Sequence, residues 1–264
     1  MAGLHRVAHR GYSAVAPENT LPALAAGVLA GATLIEFDVR TTADGVPVVI
    51  HDRTVDRTTD GTGPVGELTL DEISTLDAGS WFSPAYAGIR IPLLHQVIDL
   101  LRPHAVLAPS AGEAGVTPAE APRVELLLEI KPPATLEQVK VIIGQVTDAG
   151  LLDRTVVQSF DPEVVRLAGE AAPDVRLGLL RHGFDEEQVR VARDLRLRYV
   201  NPDLRAVLAD PATVRALAAA GVGVMPWTPN DTALWPTLVE AGVAGLINDR
   251  TGELTGWMTA RGLR

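Results

Sequence analysis

The sequence contains no cysteine in 264 residues, which excludes a disulfide, a thiolate nucleophile and a cysteine-ligated metal centre. Aromatic residues make up only 4% of the chain. No apolar run reaches the roughly 18 residues that a membrane-spanning helix needs. Residues 1–11 also lack the basic flank and apolar stretch of a signal peptide. From these absences we expect a cytoplasmic protein with no stable membrane association.

Basic residues are scarce as well. The chain has 23 Lys and Arg against 33 Asp and Glu, which gives a formal net charge of −10. Nucleic-acid binding needs clustered cations against the phosphates, so we predict no nucleic-acid partner. An anionic small-molecule substrate would have to be held by a local group of Arg and Lys or by a bound metal. The oligomeric state stays open.

Short apolar runs alternate with segments whose apolar residues recur about every 3.6 positions. The strand-like runs are His5–His9, Thr33–Val39, Val124–Ile130, Thr155–Phe160, Val175–Leu180, Arg198–Asn201, Val222–Trp227 and Ala244–Asn248. The clearest helical segments are Leu136–Val146, Pro162–Ala171, Glu186–Leu195, Pro211–Ala219 and Thr232–Ala241. This alternation predicts an α/β fold, a (β/α)8 TIM-type barrel that spans residues 1–264 as one domain. A doubly wound open sheet is the alternative, but no Gly-x-Gly-x-x-Gly follows a strand.

One further strand-like run, Val46–Ile50, follows the second strand too closely for a parallel crossover. The intervening Asp44-Gly45 is a strong signal for a two-residue hairpin turn. A turn centred there places Asp38 opposite His51 and brings His51 to the barrel mouth. Residues 52–91 then form an insertion on the top face. Residues 104–123, rich in Ala and Pro, are expected to form a loop at the bottom face.

Three carboxylates are predicted to share the barrel mouth. Glu36 and Asp38 are spaced by two and therefore lie on one face of the second strand, and Glu129 lies at the top of the third. Close carboxylates repel one another, and a hard cation that prefers oxygen ligands relieves this. We predict one divalent cation, Ca²⁺ or Mg²⁺, on these residues. The alternative is a structural ion-pair network with Arg10 and Lys131.

Two histidines end neighbouring elements, His9 on the first strand and His51 on the hairpin. Near neutral pH, one imidazole can accept a proton while its protonated partner donates one to a leaving alkoxide. Arg10 and Lys131 supply cations for an anionic substrate, because a guanidinium fork suits phosphate and an ammonium adds a point charge. A buried, hydrogen-bonded role for either histidine alone and charge balance of Glu129 by Lys131 are the alternatives.

Several motifs then occur in order along nearly the whole chain. They are His9-Arg10-Gly11, Pro17-Glu18-Asn19-Thr20, Ile35-Glu36-Phe37-Asp38-Val39, Val48-Val49-Ile50-His51-Asp52, Arg57-Thr58-Thr59-Asp60-Gly61-Thr62-Gly63, Asp77-Ala78-Gly79-Ser80-Trp81, Glu129-Ile130-Lys131, Ser159-Phe160-Asp161 and Trp227-Thr228. Together they resemble the glycerophosphodiester phosphodiesterase family. The resemblance implies a TIM-type barrel that hydrolyses glycerophosphodiesters to glycerol 3-phosphate and an alcohol.

The resemblance also implies a role for each candidate residue. Glu36, Asp38 and Glu129 would hold the cation, and His9 and His51 would exchange protons, with the hairpin position of His51 favouring it as the acid. Arg10 and Lys131 would hold the phosphate. Glu18 and Asn19 would support the His9 loop, although Asn19 could instead cap a helix. Phe160 and Trp227 would wall the glycerol or alcohol pocket, or serve only as rim aromatics. The other histidines, His5, His95, His104 and His182, are interpreted as solvated or core residues, although His182 follows the fifth strand at the top face and could instead touch substrate.

Three other functions stay open. A lysophospholipase D-like enzyme would use the same site on lipids and would need an apolar rim. A metal-dependent sugar isomerase also clusters carboxylates and histidines in a barrel, but it does not explain Arg10 and Lys131. A catalytically silent barrel that only binds phosphodiesters is disfavoured, because every proposed catalytic group is present.

Overall fold

The computed structural model describes residues 3–106 and 124–263. Within them, eight parallel strands and one antiparallel strand form a single sheet. The strands are β1 His5–Ala8, β2 Leu34–Thr41, β3 Pro47–Val49, β4 Glu125–Ile130, β5 Thr155–Ser159, β6 Arg176–Arg181, β7 Tyr199–Pro202, β8 Gly223–Val224 and β9 Gly245–Asn248. They follow the order β8-β7-β6-β5-β4-β2-β1-β9, with β3 paired to β2. A parallel bridge between Trp227 and Ile247 joins the two ends, so the sheet is a nearly closed barrel, as predicted.

Helices connect the strands. They are α1 Leu21–Leu29, α2 Leu70–Ser74, α3 Leu94–Val106, α4 Leu136–Asp148, α5 Pro162–Ala171, α6 Gln188–Asp194, α7 Leu204–Ala209, α8 Pro211–Ala219, α9 Trp235–Glu240 and α10 Thr251–Thr259. Two of them begin with an Asp-Pro pair, in which the carboxylate caps the helix and proline occupies the first turn. Asp161 accepts a hydrogen bond from the Glu163 amide, and Asp210 accepts one from Thr213.

The alternation of side chains along β4 shows how the barrel positions its site. Leu127 packs inside the barrel, whereas Leu126 and Leu128 pack outward in the core between sheet and helices. The inner layer also contains Val7, Leu34, Val156, Tyr199, Met225 and Ile247. Glu129 is two residues beyond Leu127, so the period of two brings it to the inner face at the carboxyl end of the barrel.

The hairpin forms, but the predicted register is wrong by one residue. Val39 pairs with Val49, and the Ile50 amide donates to the Asp38 carbonyl oxygen at 3.0 Å. Asp38 therefore lies opposite Ile50 and not His51.

The cause is a turn of three residues in place of two. The Thr42 amide donates to the Val46 carbonyl at 3.0 Å, and Gly45 closes the turn at a φ of +84°. Because β3 ends at Val49, His51 lies beyond the pleated ladder, and the slip does not turn its side chain away from the barrel mouth.

The insertion at residues 52–91 carries α2 and packs beside the hairpin. Its apolar side chains form a small core with two hairpin residues: Val48, Ile50, Val55, Val65, Ile73, Ala78 and Ile91. Residues 104–106, the first part of the expected bottom-face loop at 104–123, belong instead to α3, which continues to Val106. The rest of that loop, residues 107–123, lies outside the described residues. No helix in the described ranges is long and apolar enough to cross a membrane.

Candidate active site

The three predicted carboxylates meet at the carboxyl end of the barrel. Glu36, Asp38 and Glu129 are all buried, and each offers a ligand atom within 4.8 Å of the other two. Glu36 and Asp38 project from β2, and Glu129 projects from the adjacent β4, where it pairs in register with Asp38. Neighbouring parallel strands therefore bring together residues that are about ninety positions apart in sequence.

Two cations lie against these carboxylates. The Lys131 ammonium is 3.0 Å from Asp38 Oδ1 and 2.7 Å from Glu129 Oε1. The Arg10 amide donates to Glu36 Oε2 at 2.8 Å, and its Nε lies 3.4 Å from Asp38 Oδ2. An ion-pair network is thus present, but it sets two positive side chains against three negative ones.

Burial and the neighbouring charges together change the pKa of each carboxyl group. Burial raises the pKa of Glu36 well above its ordinary value, and the charges of Asp38 and Glu129 add to that. Burial also raises the pKa of Glu129, to about 8, with a further contribution from Asp38. Burial opposes ionisation of Asp38 too, but Lys131 and Arg10 outweigh it and lower its pKa. Near neutral pH the cluster therefore retains a proton unless another cation is present.

A tight backbone turn after β1 presents Arg10 to this cluster. Arg10 has a φ of +56° and Gly11 one of +81°, so both lie in the left-handed region. A Cβ atom at Gly11 would lie 2.4 Å from the backbone of Ala23, which only glycine avoids. The turn points the Arg10 amide at Glu36.

The next loop residues hold the cluster from the side. Asn19 donates a hydrogen bond from Nδ2 to Asp38 Oδ2 at 2.8 Å, and its Oδ1 accepts one from the Asp38 backbone amide at 3.1 Å. Asn19 therefore positions this carboxylate and does not cap a helix. Glu18 accepts from Arg10 at 2.7 Å. Arg57, from the insertion, donates twice to Glu18 at 2.8 Å. Glu18 therefore contacts the predicted His9 loop through Arg10, whereas the Asn19 side chain contacts Asp38.

His9 is oriented by an aspartate from the far end of the chain. His9 Nδ1 lies 2.7 Å from Oδ1 of Asp249, the residue that directly follows β9. Ser13 donates to the same carboxylate at 3.0 Å, and Asn230 donates to its other oxygen at 2.5 Å. Burial opposes ionisation of Asp249, but the hydrogen bonds from His9, Asn230 and Ser13 lower its pKa to about 2.

His51 has an aspartate of its own. Its Nδ1 lies 2.6 Å from Oδ1 of Asp52, and Arg57 donates to Asp52 Oδ2 at 2.6 Å. The Arg57 hydrogen bond is the main reason that the pKa of Asp52 falls to about 2. Burial lowers the pKa of His51 itself. Both histidines therefore engage Nδ1 with a carboxylate, which leaves Nε2 for proton exchange.

One cavity of about 480 Å³ contains both histidines, both cations, Glu36 and Glu129. Phe160 and Trp227 form its apolar wall, with ring centroids 5.6 Å apart. His182 stacks on Phe160 at 5.0 Å and meets Trp227 edge-on at 5.6 Å. His182 is therefore an exposed wall residue of the cavity, in agreement with its predicted position at the top of the barrel after the fifth strand.

Comparison with known proteins places the chain in a family. Residues 9–253 match the profile of the glycerophosphoryl diester phosphodiesterase family. The chain belongs to this family.

Related members match over nearly the full length. A glycerophosphodiester phosphodiesterase of Caldanaerobacter subterraneus subsp. tengcongensis is 33% identical over 243 residues, 92% of this chain and 93% of the relative. A glycerophosphodiester phosphodiesterase structure from Agrobacterium tumefaciens is 29% identical at a TM-score of 0.78, covering 97% and 100% of the two chains. A phosphodiesterase from Oleispira antarctica, solved with the product sn-glycerol-3-phosphate, is 25% identical at a TM-score of 0.81, covering 96% of each chain. The predicted family, barrel fold and enzyme class are confirmed.

Sequence reasoning missed the residues that orient the family's candidate catalytic groups in this chain. Asp52 follows His51 directly, and Asp249 follows the last strand, so both were visible as carboxylates at strand ends. Arg57 begins one of the family motifs and Arg40 directly follows the predicted second strand, but neither position indicated which groups its side chain would contact. Arg57 joins Asp52 to Glu18, and Arg40 lines the cavity and donates from Nε to the His51 carbonyl at 2.9 Å.

Proposed function

We propose that this glycerophosphodiester phosphodiesterase releases glycerol 3-phosphate and an alcohol by acid–base catalysis between His9 and His51, with a divalent cation bound at the carboxylate cluster. The observation that carries the proposal is the common cavity. It joins two imidazoles, each fixed at Nδ1 by a carboxylate, to a buried carboxylate cluster with too few cations.

Each histidine has one half of the proton transfer to perform. The neutral imidazole accepts the proton of the attacking hydroxyl, from water or from the glycerol 2-hydroxyl, as its oxygen bonds to phosphorus. The imidazolium donates its proton to the alcohol oxygen as the P–O bond to that alcohol breaks. Attack by water gives glycerol 3-phosphate directly. Attack by the 2-hydroxyl gives a cyclic phosphate, which a water molecule then opens to glycerol 3-phosphate with the roles of the two histidines exchanged. The hairpin position of His51 favours it as the acid, whereas its burial favours a neutral imidazole and hence the base. A leaving-group experiment, described below, distinguishes the two assignments.

The donor set fits a hard cation. Glu36, Asp38 and Glu129 offer only oxygen ligands, and burial together with the neighbouring carboxylates raises the pKa of Glu36 and Glu129. These three residues would hold Ca²⁺ or Mg²⁺. When bound, such an ion neutralises charge on a phosphate and lowers the pKa of a nearby hydroxyl.

The remaining residues of the cavity bind and orient the substrate. Arg10 and Lys131 stand beside the carboxylate cluster, so both are placed to attract the phosphate once the carboxylates are neutralised. Phe160 and Trp227 present an apolar wall against which the carbon skeleton of one diester arm packs. That packing holds the arm in place and excludes water from one side of the phosphorus.

The direct test is release of glycerol 3-phosphate from glycerophosphocholine, glycerophosphoethanolamine and glycerophosphoglycerol with Ca²⁺, Mg²⁺ or EDTA. We expect release that EDTA abolishes. His9→Ala and His51→Ala should each lower kcat by at least ~10². His95→Ala, in an exposed position on α3, is the matched control and should behave as wild type. Rates near wild type in either active-site variant would refute the acid–base pair.

A diester with a p-nitrophenol leaving group assigns the two roles. Because p-nitrophenolate leaves without protonation, the variant that lacks the acid should recover most of its rate on this substrate. The variant that lacks the base should stay slow. Recovery in both variants or in neither would contradict a division of labour between the histidines.

A further inference from the structure

A second cavity, of about 530 Å³, opens beside the active-site cavity. It lies between the carboxyl ends of β2 and β4, the insertion and the start of α4. The proposed hydrolysis does not use this space. The two cavities share Arg40 and Lys131 as lining residues. These two side chains therefore form the boundary between the reaction centre and the second cavity.

Arg40 differs from the other cations of the site in having no carboxylate partner. Lys131 pairs with two carboxylates and Arg10 with two. Arg40 donates from Nε to the His51 carbonyl, and within residues 3–106 and 124–263 no Asp or Glu oxygen lies within 4.0 Å of its guanidinium. Its two terminal nitrogens are therefore available to a ligand.

A second guanidinium faces the same space. Arg53, an exposed residue of the insertion, lines the second cavity, and its side chain makes neither a hydrogen bond nor an ion pair with any described residue. Glu67 supplies the one carboxylate among the described lining residues. In a chain with a net charge of −10, two unpaired arginines at one cavity are a local reversal of sign.

We propose that the second cavity is a subsite for the alcohol arm of the diester, where Arg40 and Arg53 select alcohols that carry an anionic group of their own. The proposal rests on the proposed hydrolysis of glycerophosphodiesters. A diester has two arms on one phosphate, and the aromatic wall of the active-site cavity suits an uncharged arm. Among the described residues that line the two cavities, Arg40 and Arg53 are the cations without a carboxylate partner, so an anionic arm has its electrostatic complement on that side.

Two substrates isolate this interaction, because their alcohol arms differ by a single carboxylate. Glycerophosphoserine carries that carboxylate, and glycerophosphoethanolamine lacks it. The measured quantity is the ratio of kcat/KM for the serine diester to that for the ethanolamine diester. Both substrates undergo the same cleavage of the phosphodiester bond, so an effect of a variant on that cleavage cancels in the ratio.

Arg40→Gln should lower this ratio by about tenfold, the loss expected for a hydrogen bond between two charged groups. Arg53→Gln should lower it by about two- to threefold, since an exposed charge is screened. Glu67→Gln removes the opposing charge and should raise the ratio. Arg166→Gln, on the exposed face of α5 and paired with Glu163, is the control and should leave the ratio unchanged.

The outcomes separate the subsite from the activity itself. An equal loss on both substrates in Arg40→Gln would show that Arg40 binds the reacting phosphate, and this would overturn the subsite. An unchanged ratio in Arg53→Gln and Glu67→Gln would overturn it as well. These two exposed positions keep the test decisive if Arg40→Gln fails to fold. Hydrolysis of neither diester by the wild type would overturn the proposed function and the subsite together.

Discussion

Replacing Asp249 by Asn tests whether the carboxylate behind His9 contributes to catalysis. The substitution keeps the shape of the side chain but removes the charge that lies 2.7 Å from His9 Nδ1. A hydrogen bond between charged groups contributes about 1.5–3 kcal/mol. If the bond between Asp249 and His9 reaches this strength only when His9 is protonated during the reaction, its loss corresponds to a factor of about 10–150 in rate. Asp249 is 31% exposed, so solvent screens part of this interaction, and we expect kcat to fall by about 30-fold.

Steady-state kinetics on glycerophosphoethanolamine measures this loss. Asp210→Asn, at the N-cap of α8 and not among the residues that line the cavity, is the matched control and should leave kcat unchanged. The decisive comparison is the double variant His9→Ala/Asp249→Asn. If Asp249 acts through His9, the double variant is no slower than His9→Ala alone. An additive loss, or a kcat for Asp249→Asn within threefold of wild type, would refute the reasoning.

Two further predictions concern the same supports. Arg57→Ala should lower kcat by about tenfold, because Asp52 and Glu18 each lose one of their two partners and keep only His51 and Arg10, respectively. Arg57→Lys should restore part of the activity, and an unchanged kcat in Arg57→Ala would contradict this role. The second prediction concerns acid stability. Asp52 and Asp249 have pKa values of about 2 in the folded protein, below the ordinary value of about 3.9. Their stabilisation is therefore present above about pH 4 and is lost as the pH falls towards 2. Urea unfolding at pH 7, 4 and 2.5 should show this loss, and the Asp52→Asn/Asp249→Asn variant should lose less; an equal loss in both proteins would contradict it.

Much of the site could be predicted because periodicity determines it. A spacing of two on a strand is enough to put Glu36 and Asp38 on one face, and alternating strands and helices put Glu129 at the same end of the barrel. These inferences need only the local period of each element and the general geometry of parallel barrels.

The remaining features depend on geometry that no local pattern contains. The hairpin register depended on whether the turn held two or three residues, and Asp44-Gly45 is compatible with both. The partnership of His9 with Asp249 joins residues 240 positions apart, and it exists only because β1 and β9 close the barrel side by side. His182 lies in the cavity because β6 ends beside Phe160, a contact between neighbouring loops.

The balance of charge in the cavity links these features to the reaction. Three buried carboxylates face two cations, so the cluster would repel a phosphodiester when all of its groups are ionised. Burial raises the pKa of Glu129 to about 8, and protonation of this one group brings the net charge of the cluster and its two cations to zero but not to a positive value. A divalent ion in the same place would make it net positive and would leave Arg10 and Lys131 available for the phosphate. Removal of the cation should therefore weaken substrate binding as well as turnover, whereas it leaves unchanged the charges of Arg40 and Arg53, which pair with no carboxylate among the described residues.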